Sequence, residues 1–236
     1  VREITIRPVV SPANADYADA IEFRVTNATG IPTNIAECIV NEDKTVTVKA
    51  KGDGSFYLRA LCKNGTDHYH ILSTLPFEAN GLGSALTNPY EFVPGGLFTR
   101  GSENLSNGIN RGVGFAMGGV SSWAVYDNID FGAVGSDTLT VPIWANTLDP
   151  VEIRFYDGVP GEDGTLLGSF SYHKQPEWMV FKPETFKLSK VLRGIQTFCI
   201  ETDCGFQVSG FSFAQRHREF MANNAADAAN IYGDKF

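Results

Sequence analysis

Apolar and polar residues alternate in short runs along most of this chain, and turn residues separate the runs. ITIRP (4–8), IEFRV (21–25) and TVTVKA (45–50) alternate, and SFYLRALCKN (55–64) and HYHILSTL (68–75) follow. Between them lie NATG, NEDK, KGDG and KNGTD, whose Gly, Asn and Asp residues tolerate tight turns. A side-chain period of two marks a strand with one face buried. Strands recurring every ~8–12 residues predict an antiparallel sandwich. Residues 1–83 are expected to form an immunoglobulin-like domain.

GLGSALTNPYEFVPGG (81–96) has glycines, prolines and no period, so it reads as a linker into a second domain. Strand patterns resume at GVGFAM, SWAVYDNIDF, DTLTVPIWA, VEIRFYD, TLLGSFSYH, EWMVFKPETFKL, TFCIET and FQVSGFSF. That succession predicts a jelly-roll β-sandwich over 84–213. The fold class is therefore all-β. From 214 the pattern changes: AQRHREFMANNAADAAN predicts a short helix with Phe220 and Met221 as its apolar anchors. The closing NIYGDKF reads as the opening of a further module, so 214–236 is assigned as a helical linker.

The chain of 236 residues has formal charge −8. Without a basic cluster, that balance argues against nucleic-acid binding. No apolar run reaches the ~18 residues of a membrane span. The chain opens at Val1 without a signal-like segment, as an excised piece of a longer protein would. The compartment is not fixed by the sequence, with the extracellular side or cell surface favoured over the cytoplasm. No C-x-x-C pair occurs among Cys38, Cys62, Cys199 and Cys204, which speaks against zinc. Cys38 and Cys62 are either a disulfide or, the favoured reading, buried free thiols. Asn27, Asn64 and Asn104 open N-x-[ST] triplets, which matter only in a glycosylating host.

SWAVYDNIDFG (122–132) holds two acids three residues apart, Asp127 and Asp130. On a helix they would share a face; on the strand predicted here they would not. The pairs Asp127/Asp130, Glu162/Asp163 and Glu201/Asp203 are candidate carboxylates for glycoside hydrolysis, which needs two acids across a cleft. All sit at strand ends or in turns, where acids ordinarily form turns, so no catalytic residue is assigned. His68 and His70 have metal-ligand spacing on a strand but lack a third and fourth ligand.

The aromatics carry more information. A sugar's apolar face stacks on Trp or Tyr while its hydroxyls need fixed polar partners. Trp178 follows a proline-containing loop, where a side chain can be exposed, with Tyr172, His173 and Glu177 as near neighbours. Trp144 lies in the alternating VPIWA and reads as core, whereas Trp123 opens a strand and is compatible with core or surface.

Two resemblances follow from these residues. YLRALCKNGTDHYHILSTLPFEANGLGSALTNPYEFVPGGLF (57–98) resembles the region after the catalytic barrel in bacterial family 2 glycoside hydrolases of the β-galactosidase type, and NIYGDKF resembles the opening of a further appended module there. WAVYDNIDFG (123–132), VEIRFYDGVPGEDGTLLGSF (151–170), EWMVFKPETFKL (177–188) and FQVSGFSF (206–213) resemble family 6 carbohydrate-binding modules. The second resemblance implies one sugar cleft among loops at one edge of the sandwich. There Phe115 and Trp178 would clamp the sugar and Gln207 would stand where the family has an asparagine. Tyr172 and Glu177 complete the expected contacts. Phe115 replaces a tyrosine, losing a hydroxyl but keeping a stacking face.

Family members also bind a structural calcium through first-strand acids and an aspartate in the last strand. Glu91 is a first-strand candidate here, but Ser209 stands at the aspartate's position. The set is incomplete and no cofactor is assigned. The catalytic acids of family 2 hydrolases lie in a (β/α)8 barrel, and no strand–helix alternation occurs here. The resemblance thus implies a non-catalytic accessory region. Its expected partners are a galactoside-containing or plant or host glycan and the catalytic domain of the parent enzyme. The rival reading is a purely structural pair of domains that packs against the barrel or another subunit.

Overall fold

The computed structural model describes residues 2–110, 113–118, 121–145, 147–203 and 206–216; for Ile109, Asn110, residues 113–118 and Phe206 it describes the backbone only. The first six strands are β1 (Glu3–Ile6), β2 (Glu22–Thr26), β3 (Ala36–Val40), β4 (Val46–Ala50), β5 (Gly54–Cys62) and β6 (His70–Ala79). They form two three-stranded antiparallel sheets, β1-β4-β3 and β2-β5-β6. Alternation turns Val46 and Val48 of β4, and Phe56 and Leu58 of β5, into one buried cluster with Val25, Ala36 and Ala79. Phe56 stacks on Phe77 across the β5–β6 ladder with centroids 5.3 Å apart.

The sequence pattern misses β3. Its apolar residues fall on both faces, with Ala36 buried but Ile39 and Val40 exposed, so no period of two appears. The strand expected at HYHILSTL begins at His70, because KNGTDHY is a turn and its exit. The disulfide alternative is corrected: Cys38 and Cys62 are free thiols. They lie in different sheets, and the Cys38 thiol donates to the Phe23 carbonyl at 3.5 Å. Burial pushes the Cys38 thiol above its ordinary pKa.

The later strands are β7 (Val93–Pro94), β8 (Arg100–Gly101), β9 (Ser106–Asn110), β10 (Val113–Gly118), β11 (Ser122–Asp130), β12 (Ser136–Ala145), β13 (Val151–Asp157), β14 (Thr165–Tyr172), β15 (Lys182–Leu192), β16 (Ile195–Thr202), β17 (Phe206–Val208) and β18 (Gly210–Phe213). One sheet runs β7-β18-β12-β17-β10-β9, with β15 on the other side of β12; the opposing sheet runs β14-β13-β16-β11-β8. FQVSGFSF is one interrupted strand: β17 and β18 both pair with β12, and the chain breaks at Ser209–Gly210. Leu139, Val141, Ile143 and Ala145 of β12 face Val151, Ile153 and Phe155 of β13 across a core filled by Phe186, Phe198, Phe211 and Phe213. Each fully buried Phe stabilises the fold by roughly 1.5–3 kcal/mol. The sandwich is a jelly roll.

The segment expected as a linker is hydrogen-bonded at both ends. The Asp53 carboxylate accepts the Leu82 and Gly83 amides at 2.7 and 3.0 Å. The Asn34 amide donates to Thr87 Oγ1 at 2.6 Å. Thr87 in turn exchanges backbone bonds with Asn128 and Asp130. The predicted helix beyond residue 216 lies outside the described residues, and 214–216 are not helical.

Candidate functional site

On β11, Ala124 and Tyr126 point into the main core, and Tyr126 donates from its hydroxyl to the Gly95 carbonyl at 2.8 Å. Trp123 and Val125 take the other face, in a small cluster with Tyr156, Val159 and Cys199. The two faces are those the alternation predicts. Past Tyr126 the register slips by one residue and Asn128 takes φ 59°, so Ile129 rather than Asn128 is the next residue to face the core.

That bulge separates the two acids by task. Asp127 accepts from Thr99 Oγ1 at 2.6 Å, Thr197 Oγ1 at 2.8 Å and Arg100 at 3.2 Å. Burial pushes its pKa up, but the two hydroxyls and the guanidinium outweigh it and hold the carboxyl below its ordinary range. Asp130 closes the turn by accepting the Gly132 amide at 2.9 Å. Asp163 accepts the Val159 amide at 2.9 Å in the GVPGEDG turn, where Glu162 is exposed. Glu201 and Asp203 both grip Arg154, and Tyr156 donates to Glu201 at 2.8 Å. Each candidate acid that makes a bond thus ties the fold together. His68 lies in a turn and His70 at the start of β6, so they do not share a strand face.

The outer face of the β12 sheet is different. Alternation that buries Ile143 and Ala145 in the core sends Trp144 to the opposite face, where it pairs across the ladder with Gln207 of β17. The chain between β14 and β15 folds over that face. Val180 donates its amide to the Glu177 carbonyl at 3.0 Å, closing a turn with Trp178 and Met179 at its tip. Met179 takes φ 55°, a conformation that costs a residue with a Cβ roughly 1–2 kcal/mol. Lys182 staples the base, reaching the Glu177 carboxylate at 2.7 Å and the Gln175 carbonyl at 2.8 Å. Trp178 is 80% exposed and meets Trp144 edge to face, ring centroids 5.2 Å apart.

Of the expected contacts, Trp178, Glu177 and Gln207 belong to this face or the loop above it. Tyr172 does not, and this is a correction. It is buried in the main core at the end of β14, its hydroxyl 3.5 Å from the Ile143 carbonyl, so it presents no ring to a ligand. Sequence proximity to Trp178 suggested it, but the strand ends there and the last inward position belongs to the core. The Phe115 side chain lies outside the described residues; its backbone pairs with Gly108, two positions before the Met117–Gln207 pair. Lys182 and Met179 escaped the sequence reading. A lysine at a strand's start is unremarkable, and a left-handed methionine leaves no trace in composition.

The calcium set of the family does not fit these residues. Glu91 accepts from the Asn88 side chain at 3.2 Å, Ser209 offers no carboxylate, and no cluster of three or more His, Cys, Asp or Glu suited to a metal occurs among the described residues.

No family model matches the sequence, and no curated protein does. Solved structures do. A family 6 module from Clostridium stercorarium, in complex with cellobiose, is 18% identical with TM-score 0.50, over 56% of this chain and 98% of that one. A β-1,3-glucan-binding family 6 module from Bacillus halodurans is 18% identical with TM-score 0.46, over 55% and 99%. A family 43 arabinoxylan arabinofuranohydrolase from Bacillus subtilis, in complex with cellotetraose, is 14% identical with TM-score 0.48, over 86% and 53%. At this identity the likeness to the Clostridium module carries the fold: this chain contains a jelly-roll sandwich of the kind found in family 6 carbohydrate-binding modules.

Proposed function

We propose that the chain is a non-catalytic, carbohydrate-binding accessory region of a glycoside hydrolase of the β-galactosidase type. In this reading 84–213 is the binding module and 1–83 an immunoglobulin-like spacer. The protein works outside the cell or at its surface. Trp178 is the observation that carries it. A large ring held 80% in water stabilises the fold little, yet its loop is stapled by Lys182 and strained at Met179. Local strain held in place by its surroundings clusters at ligand sites. Trp178 offers a stacking face, while Gln207 and Glu177 supply polar partners for hydroxyls. Phe115 is the second stacking residue. No cofactor takes part. Tethering a barrel to its polymer raises effective substrate concentration without new chemistry.

Calorimetric titration of cellobiose, cellotetraose, a β-1,3-glucan and a β-1,4-galacto-oligosaccharide, with and without calcium, tests the reading. Binding of one class, lost in Trp178→Ala and indifferent to chelation, supports it. Silence across the panel overturns it.

A specific observation also favours a protein partner for 1–83. Leu72 and Leu75 on edge strand β6 are 47% and 43% exposed and line one groove with Phe23, Leu58 and Ala60, an apolar surface that suits packing against the parent's catalytic domain.

A further inference from the structure

Trp144 holds a buried donor with nothing to donate to. Its side chain is 5% exposed, and its indole Nε1 is shut off from solvent with no hydrogen-bond acceptor. Buried N–H groups are almost always paired, so such an orphan calls for an explanation. Core packing does not supply one, because Trp144 stands on the outer face of its sheet, opposite Ile143 and Ala145. Phenylalanine would fill an apolar site at no polar cost. The orphan also sits against the one tryptophan ring that solvent reaches almost completely, Trp178.

We propose that Trp144 is a hydrogen-bonding residue of the sugar site, its indole N–H donating to an oxygen of a neutral glycan when the Trp178 turn lifts. The proposal rests on the carbohydrate-binding reading and names a residue and a ligand class for it. The turn has the means to move. Its base is fixed by Lys182, whereas its tip is closed by the Val180–Glu177 amide bond over a strained Met179. A sugar fits the pair: its apolar face stacks on Trp178, and a ring or hydroxyl oxygen accepts from Trp144. An acidic sugar fits poorly. The nearby lysines are already engaged, Lys182 with Glu177 and Lys174 with Glu184, and the chain is acidic overall.

The test is ¹H–¹⁵N spectroscopy of the whole chain, in which three tryptophans give three indole signals. Trp144→Phe removes one and so assigns it. In the free protein that proton is expected to exchange slowly with solvent and to resonate upfield, as an unbonded indole does. Titration with cellotetraose, and separately with β-1,4-galactotriose, is expected to shift it downfield with whichever sugar binds. Trp144→Phe is expected to weaken that binding about two- to tenfold, the share of one neutral hydrogen bond, with the melting temperature unchanged or raised. Binding abolished by Trp178→Ala but untouched by Trp144→Phe, with a static Trp144 signal, overturns the proposal and leaves the carbohydrate reading standing. No binding of either sugar by the unmodified chain retires both. If Trp144→Phe fails to fold, Trp123→Phe and Trp178→Phe assign the other two signals, and the remaining Trp144 signal in the unmodified chain decides.

Discussion

Trp144 and Trp178 meet edge to face at 5.2 Å, yet one is 5% exposed and the other 80%. The same side chain therefore has opposite tasks on the two sides of one contact. Trp144→Ala is expected to cost roughly 3–5 kcal/mol, the range for emptying a large buried site. Trp178→Ala loses only the edge contact and is expected to cost under about 1 kcal/mol. Thermal unfolding of both variants checks the contrast; equal losses would show that Trp178 is structural.

Asp127 gives the fold a pH dependence. Its carboxyl titrates below the ordinary range in the folded chain, so the unfolded chain binds the proton first as pH falls. Its contribution is complete above the unfolded pKa, about 4, and is lost as pH drops through the lower folded value. Asp127→Asn is expected to be less stable than the unmodified chain at pH 7, with the gap closing below pH ~4. Urea midpoints measured from pH 7 to 3 check it. A gap that stays constant would mean the Thr99 and Thr197 bonds do not depend on the charge.

The junction is tightest at Gly52, a buried glycine. A Cβ there would lie 2.4 Å from the Ala85 amide nitrogen and 2.6 Å from the Ala85 Cβ, so backbone must shift. Gly52→Ala is expected to destabilise the chain by about 1–3 kcal/mol while leaving sugar affinity unchanged. Calorimetric unfolding and a sugar titration on the same sample separate the two effects.

Cys38 and Cys62 are expected to appear unlinked in a non-reducing peptide map after denaturation and alkylation. A peptide joining them would require β3 and β5 to sit differently from the arrangement described here.

Where one face of a strand is apolar and the other wet, the sequence is legible. VEIRFYD reads directly as Val151, Ile153 and Phe155 inward with Glu152 and Arg154 outward. Legibility fails where tertiary contacts decide. β3 carries apolar residues on both faces. EWMVFKPETFKL mixes a turn with a strand because Met179 takes a left-handed conformation that no local preference announces. At the site, Trp178 is readable as an exposed ring after Pro176, and Trp144 as a member of an alternating strand. Their contact is not readable, since it depends on the loop folding back over β12. Tyr172 misleads for the complementary reason: nearness in sequence to an exposed residue says nothing about the last buried position of the strand before it.

The most direct test of the central claim is calorimetric titration of the neutral oligosaccharide panel into the unmodified chain and into Trp178→Ala, at matched melting temperatures. The account predicts micromolar-to-millimolar binding of one sugar class by the unmodified chain and none by the variant. Equal binding by both, or none by either, would contradict it.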